Sequence, residues 1–254
     1  MGTQARERAR DIRRAREIAE QQRRKRARVL KIGAVIIGGL VLAIVISLIV
    51  SASRTNPPAG TTSDKPLIVP AAAAPNGSFT VGSAIAPVRL ELYLDYMCPY
   101  CGRFERANGG EIQRLVGDGT VKVELHPLSF LDRMSSGSRY STRTANAVTT
   151  VAEKAPDKVL AFNQALFDKQ PAEGSAGLTN DQVAAIAIGA GVPPDVVNAF
   201  GAGTYEPWVL QATAAAFDSG ITGTPTVKIN GTVYQGDLYT AGPLTQAIIA
   251  AKGR

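Results

Sequence analysis

Cysteine and histidine are scarce in this chain. Its 254 residues include two cysteines, Cys98 and Cys101, and one histidine, His126. A structural zinc site takes four nitrogen or sulfur ligands, so these three residues fall short of one. A purely structural disulfide gains little here, because closing a Cys-x-x-Cys loop removes little chain entropy from the unfolded state. Both remain open as alternatives to redox chemistry. Charge of one sign is also missing from most of the chain. The formal net charge is +7, but residues 1–31 carry twelve Lys/Arg against four Asp/Glu, and the remainder is close to balanced. The basicity belongs to a tail, and a nucleic-acid surface on the main body is unsupported. No internal repeat is present.

The two cysteines lie in Tyr93-Leu94-Asp95-Tyr96-Met97-Cys98-Pro99-Tyr100-Cys101-Gly102-Arg103-Phe104. Before them, Val88–Leu94 alternates apolar and polar side chains and is rich in strand formers, which predicts a strand. After them, Phe104, Ala107, Ile112, Leu115 and Val116 recur at helical spacing, although Gly109-Gly110 weakens that helix. The thiols therefore stand where a strand ends and a helix begins. The free N–H groups and partial positive charge of a helix N-terminus favour a thiolate. Pro99 suits the first helical turn, where a missing N–H costs nothing. This predicts Cys98 as an exposed nucleophile of lowered pKa and Cys101, one turn on, as the resolving thiol.

Around this centre the chain divides into four. Residues 1–31 read as a charged helical tail that sets membrane orientation, with contact to anionic lipid heads as an addition. Its arginine pairs lack the apolar residues that follow a twin-arginine export signal. Residues 32–50 are uncharged and apolar, and nineteen residues as a helix reach about 28 Å, close to the roughly 30 Å core of a bilayer. The arginine-rich flank predicts a cytoplasmic N-terminus and an extracytoplasmic remainder. A cleaved signal peptide is the rival, since Ser51-Ala52-Ser53 offers small residues, but the long charged flank and full spanning length favour a retained anchor. Residues 51–78 read as a Pro/Ala-rich linker, in which Leu67-Ile68-Val69 is a candidate short strand or docking segment.

Residues 79–254 read as one α/β domain, long enough to bury a full core. Its first predicted strand is Val88–Leu94 and its next is Thr120–His126, which implies a parallel pair with a right-handed crossover. Helical patterns then fill about 138–219, including a capping box at Thr179-Asn180-Asp181-Gln182. Strand character returns around Thr226–Ile229, and Asn230-Gly231 signals a hairpin in which Thr232–Gly236 pairs back. A closing helix is predicted near Pro243–Ala251.

Cys98-Pro99-Tyr100-Cys101 at a strand–helix junction, with Gly223-Thr224-Pro225-Thr226 opening a late strand, resembles the thioredoxin fold. With its helical insertion, the chain is similar to the DsbA family of thiol:disulfide oxidoreductases, in particular to the membrane-anchored type of actinobacteria and other Gram-positives. The resemblance covers roughly residues 79–254. It implies Cys98 as nucleophile, Cys101 as resolving cysteine, and Pro225 as a cis-proline lying against the disulfide, with Thr224 presenting its backbone to the substrate peptide. Pro99 and Tyr100 complete the redox site.

No cofactor is expected, and the count of two cysteines and one histidine speaks against a metal. The implied partners are reduced exported proteins as substrates and a quinone-linked membrane reoxidase of the DsbB or VKOR kind, to which the apolar run at 32–50 adds the lipid bilayer. Many relatives place a buried Glu six residues before the nucleophile. Leu92 stands there in this chain, and Glu91 points to the other strand face. Asp95 is the substitute candidate for proton acceptor, with a solvated side chain and a loop cap as equal alternatives. Pro-Tyr between the cysteines supplies no imidazole, and there is no second cysteine pair. His126 reads as structural. A reductase or isomerase on the same fold is the competing activity, and a redox-inactive cell-surface binding module is a third reading.

Overall fold

The computed structural model describes residues 65–253. The charged tail and the apolar run at 32–50 lie outside the described residues. Among the described residues no helix is long and apolar enough to cross a membrane.

A five-stranded sheet forms the centre, in the order β1-β3-β2-β4-β5. Strand β2 (Val88–Asp95) is buried along nearly its whole length, as befits a middle strand with both faces covered. It pairs in parallel with β3 (Val121–Leu128) and antiparallel with β4 (Thr226–Ile229). Helix α1 (Pro99–Gly117) makes the crossover between the parallel pair. It runs unbroken through Gly109-Gly110. Burial of Phe104, Ile112 and Leu115 offsets a propensity cost of about 1 kcal/mol per glycine.

The structure adds a strand that the sequence pattern does not reveal. β1 (Phe79–Val81) precedes Val88 and pairs antiparallel with β3. Three residues are too few for a period to show; the neighbouring strand and the Phe79–Trp208 ring contact at 5.4 Å decide the matter. Strand β3 also continues past His126 through Pro127 to Leu128. The hairpin forms at Asn230-Gly231, where φ values of 49° and 86° suit a tight primed turn. Its return strand β5 is shorter than the sequence predicts, Thr232–Val233 only.

Between β3 and β4 the chain makes a helical insertion: α2 (Tyr140–Lys154), α3 (Val159–Asp168), α4 (Asn180–Gly189), α5 (Pro194–Asn198) and α6 (Glu206–Asp218). The α4 capping box is complete, with Thr179 and Gln182 exchanging hydrogen bonds with each other's backbone N–H. α7 (Pro243–Ala251) closes the fold against α1. One apolar core runs from Leu90, Leu92 and Leu94 of β2 into the insertion. A smaller cluster around Tyr93, Leu128, Ala216 and Ile221 uses the opposite face of the same strand. Of the stretch read as linker, residues 65–78 lie against the fold, where the Ala72 N–H donates to Glu153 Oε2 at 2.8 Å. Leu67-Ile68-Val69 is exposed and forms no strand.

Candidate active site

Strand β2 delivers Asp95 and α1 begins at Pro99, so Tyr96-Met97-Cys98 must turn between them. Asp95 builds that turn. Its backbone carbonyl accepts from the Cys98 N–H at 3.0 Å, and its Oδ1 accepts from the Met97 N–H at 2.8 Å. Oδ1 also accepts from the Ser141 hydroxyl at 2.7 Å, and Oδ2 from the Leu131 N–H at 2.9 Å. The side chain is fully buried, so the solvated alternative is excluded, and the loop-capping one describes its hydrogen bonds. Burial nevertheless outweighs the three donors and pushes the carboxyl pKa up to about 7.

Cys98 is the N-cap of α1, in extended conformation and with Pro99 at the first helical position. The sequence predicts an exposed sulfur; here Cys98 is only 5% exposed, because the loop before β4 folds over it. The thiol lies 3.2 Å from the Thr224 carbonyl oxygen, and the Thr224–Pro225 peptide is cis. The Cys98 pKa falls to about 6. The Cys101 thiol, hydrogen-bonded to the Cys98 sulfur, is the largest cause; the Thr224 hydroxyl and the Cys101 and Tyr100 backbone N–H groups add to it, against the opposing effect of burial. Cys101 behaves in the opposite way. It is wholly buried, and burial together with the Cys98 sulfur raises its pKa well above the ordinary thiol range.

Pro99 and Tyr100 face solvent, Tyr100 with 54% of its surface exposed. Arg103 stacks its guanidinium over Tyr239 at 4.6 Å and reaches Tyr100 at 5.7 Å. His126 lies apart from the thiols, on the sheet face with Tyr93, and their rings stack at 3.9 Å. Burial, then the Lys228 charge, lowers the imidazole to about 3, so it is neutral at physiological pH.

Thus Asp95, Cys98, Cys101, Thr224 and Pro225 converge, although 126 positions separate Cys98 from Thr224. Two residues at this centre escape sequence reasoning. Glu105 is buried in α1, and burial raises its carboxyl to about 7. Its place four residues after Cys101, on the same helix face, is the signal that could have exposed it. Gln170, after α3, donates to the carbonyls of Tyr96 and Cys98, and no local pattern announces that.

Comparison with known proteins agrees with this geometry. Residues 75–248 match the family model described as thioredoxin. The reduced form of the disulfide bond oxidoreductase DsbG from Mycobacterium tuberculosis is 30% identical, with a TM-score of 0.62 over 72% of this chain and 90% of that one. Oxidised DsbA from the same organism is 30% identical, with a TM-score of 0.61 over 70% of this chain and 93% of that one. MdbA, a thiol-disulfide oxidoreductase from Actinomyces oris, is 26% identical, with a TM-score of 0.61 over 72% and 92%. Among curated relatives, the serine/threonine-protein kinase PknE of M. tuberculosis is 32% identical over 160 residues, 60% of this chain. The chain spans only 28% of that protein's length. Since the family match takes in both cysteines, the cis-proline loop and the whole insertion, this chain belongs to the thioredoxin family and is a DsbA-like thiol:disulfide oxidoreductase.

Proposed function

We propose that the protein is a membrane-anchored oxidase that introduces disulfides into exported proteins outside the cytoplasm. In this reading residues 1–31 are the cytoplasmic tail, 32–50 the anchor, 51–78 the linker, of which 65–78 lie against the fold, and 79–254 the catalytic domain. The anchor rests on the apolar run at 32–50, and the observation that carries the oxidase reading is the unequal placement of the thiols: Cys98 caps the N-terminus of α1 beside the Thr224 carbonyl and is held near 6, while Cys101 is wholly buried and held high. A stabilised thiolate exists only in the reduced protein, so it lowers the free energy of the dithiol and makes the disulfide the better oxidant.

The cycle starts from the Cys98–Cys101 disulfide. A substrate thiolate attacks the Cys98 sulfur, a mixed disulfide forms, and Cys101 leaves as a thiolate that takes up a proton. The second substrate thiolate then attacks the substrate's own sulfur in the mixed disulfide. Cys98 leaves as a stable thiolate, and two electrons have moved from substrate to enzyme. Thr224 and Pro225 border the attacked sulfur and present backbone to the substrate chain, while Pro99 and Tyr100 form the outer wall. Asp95, titrating near neutrality, exchanges the proton of Cys101. A quinone-linked membrane partner of the DsbB or VKOR kind takes the electrons.

The test combines trapping with a redox titration. In Cys101→Ser the Cys98 thiolate still attacks disulfides of oxidised substrates, the reverse of the release step, and Cys101 is no longer there to resolve the mixed disulfide, so substrate proteins accumulate covalently; Cys98→Ser accumulates none. Equilibration with glutathione should place the wild-type couple above thioredoxin-like reductants in oxidising power. Trapping by Cys98→Ser alone reverses the roles, and a strongly reducing couple overturns the oxidase reading.

A further inference from the structure

The turn that presents Cys98 is gripped from outside the thioredoxin core. Gln170 Nε2 donates to the Cys98 carbonyl at 2.8 Å and to the Tyr96 carbonyl at 3.1 Å. A primary amide has two N–H donors, and both are used here. The same turn is held at its other end. The Tyr96 hydroxyl donates to Asn163 Oδ1 at 2.9 Å, and the Tyr96 ring stacks on Phe167 at 5.0 Å. Asn163, Phe167 and Gln170 all belong to α3 or the residues just after it. The insertion thus holds Tyr96 by ring, hydroxyl and carbonyl, and Cys98 by its carbonyl.

Gly102 makes room for this grip. A Cβ there would run into Gln170 Oε1 and lie 2.9 Å from its Cδ. The active-site helix therefore carries a side-chain-free position opposite Gln170, which reaches its N-terminal turn.

We propose that Gln170, seated against Gly102, is a positioning residue through which the helical insertion sets the acidity of the Cys98 thiol. The inference rests on Cys98 as the attacking thiol. Its physical basis is the orientation of two peptide planes. The Cys98 carbonyl also accepts the first α1 hydrogen bond, from the Gly102 N–H at 3.2 Å. Fixing that carbonyl and the Tyr96 carbonyl holds the peptide planes on either side of the Met97–Cys98 pair, and with them the direction of the Cys98 side chain. That direction decides how close the sulfur comes to the Tyr100 and Cys101 N–H groups that stabilise its anion. Without the amide, two carbonyl oxygens lose a donor and the turn is free to rotate the sulfur away.

The experiment is the pH dependence of thiol alkylation on the reduced full-length protein, read with the glutathione equilibrium. Gln170→Met keeps length and bulk but removes both donors. It should raise the pH at which Cys98 becomes reactive, lower alkylation about three- to tenfold at pH 5, below both pKa values, but less than about twofold at neutral pH, for a rise of half to one pKa unit, and leave the alkaline rate unchanged. It should also make the couple less oxidising. Gly102→Ala should act in the same direction by evicting Gln170, and the double variant should be no worse than the stronger single one. Thr179→Ala controls for general loosening of the insertion, since it removes the α4 cap far from Tyr96. It should lower stability and leave the alkylation profile alone. A Gln170→Met protein with the wild-type profile and glutathione equilibrium refutes the proposal, whatever its stability, and so does a fully additive double variant. A wild-type protein with no thiol of lowered pKa would instead remove the reading of Cys98 itself.

Discussion

The acidity of Cys98 should appear as a pH-dependent gap in stability between the reduced and oxidised proteins. An unfolded cysteine ionises near about 8.5, whereas folded Cys98 does so at about 6. At about 1.4 kcal/mol per pKa unit this gap amounts to roughly 3.4 kcal/mol, and solvent at the edge of the site trims it to about 2–3 kcal/mol. A depressed folded pKa contributes stability that is complete above the unfolded pKa and lost as pH falls through the folded one. The reduced form should therefore gain on the oxidised form from about pH 6 to 8.5, with about 1.4 kcal/mol already present at pH 7. Cys101 sets the upper limit. Its raised pKa contributes stability below the unfolded value that is lost as pH climbs further, so the gap turns over in alkali. The shift of Glu105 owes nothing to either cysteine and should cancel in the difference, and the larger causes of the Asp95 shift, burial and its three donors, should cancel too, leaving only the small push it takes from the Cys98 charge. The constraint of a four-residue disulfide loop is small and independent of pH. Guanidinium unfolding of both forms across this range, followed by the fluorescence of buried Trp208, measures the gap. A difference that is flat or falling from pH 6 to 8.5 refutes the assignment of a stabilised thiolate to this site.

Glu105→Gln should keep the acceptor for Asn163 Nδ2, now at 2.9 Å, while removing a buried charge. A raised carboxyl stabilises below its unfolded pKa and loses that contribution as pH climbs to about 7, so the variant should gain about 1–3 kcal/mol over wild type at pH 8 and little at pH 4. Destabilisation at pH 8 that is absent at pH 4 would show that the carboxylate is needed in its charged form. Asp95→Asn leaves an acceptor missing among three donors and should cost about 1–3 kcal/mol by thermal or chemical unfolding, together with slower resolution of mixed disulfides in stopped-flow exchange. Unchanged resolution kinetics would confine Asp95 to capping the turn. In intact cells, a membrane-impermeant thiol reagent should label the cysteines after mild reduction; labelling only after lysis would refute an extracytoplasmic domain.

Much of this protein is written in short-range pattern. Cys98-Pro99-Tyr100-Cys101 after an alternating strand, Asn230-Gly231 between two strand-forming runs, and Thr179 three residues before Gln182 each act through neighbours within one turn of chain. The backbone obeys them locally, and the strand–helix junction, hairpin and capping box appear where the residues predict them. The basic tail and apolar run are equally legible as composition, although both lie outside the described residues.

What the tertiary structure decided is environment. Whether Asp95 meets water or three donors depends on Leu131 and Ser141, 36 and 46 positions away. Cys98 is covered because Thr224 arrives from the far end of the insertion, and its turn is gripped by a glutamine 72 positions distant. Glu105 reads as an ordinary helical acid until α3 buries it against Asn163. β1, with three residues, exists only because β3 offers it an edge. Burial and hydrogen-bond partners are properties of chains brought together across long loops, and a pKa follows from them. The residues alone therefore located the thiols, and packing set the acidity that distinguishes one from the other.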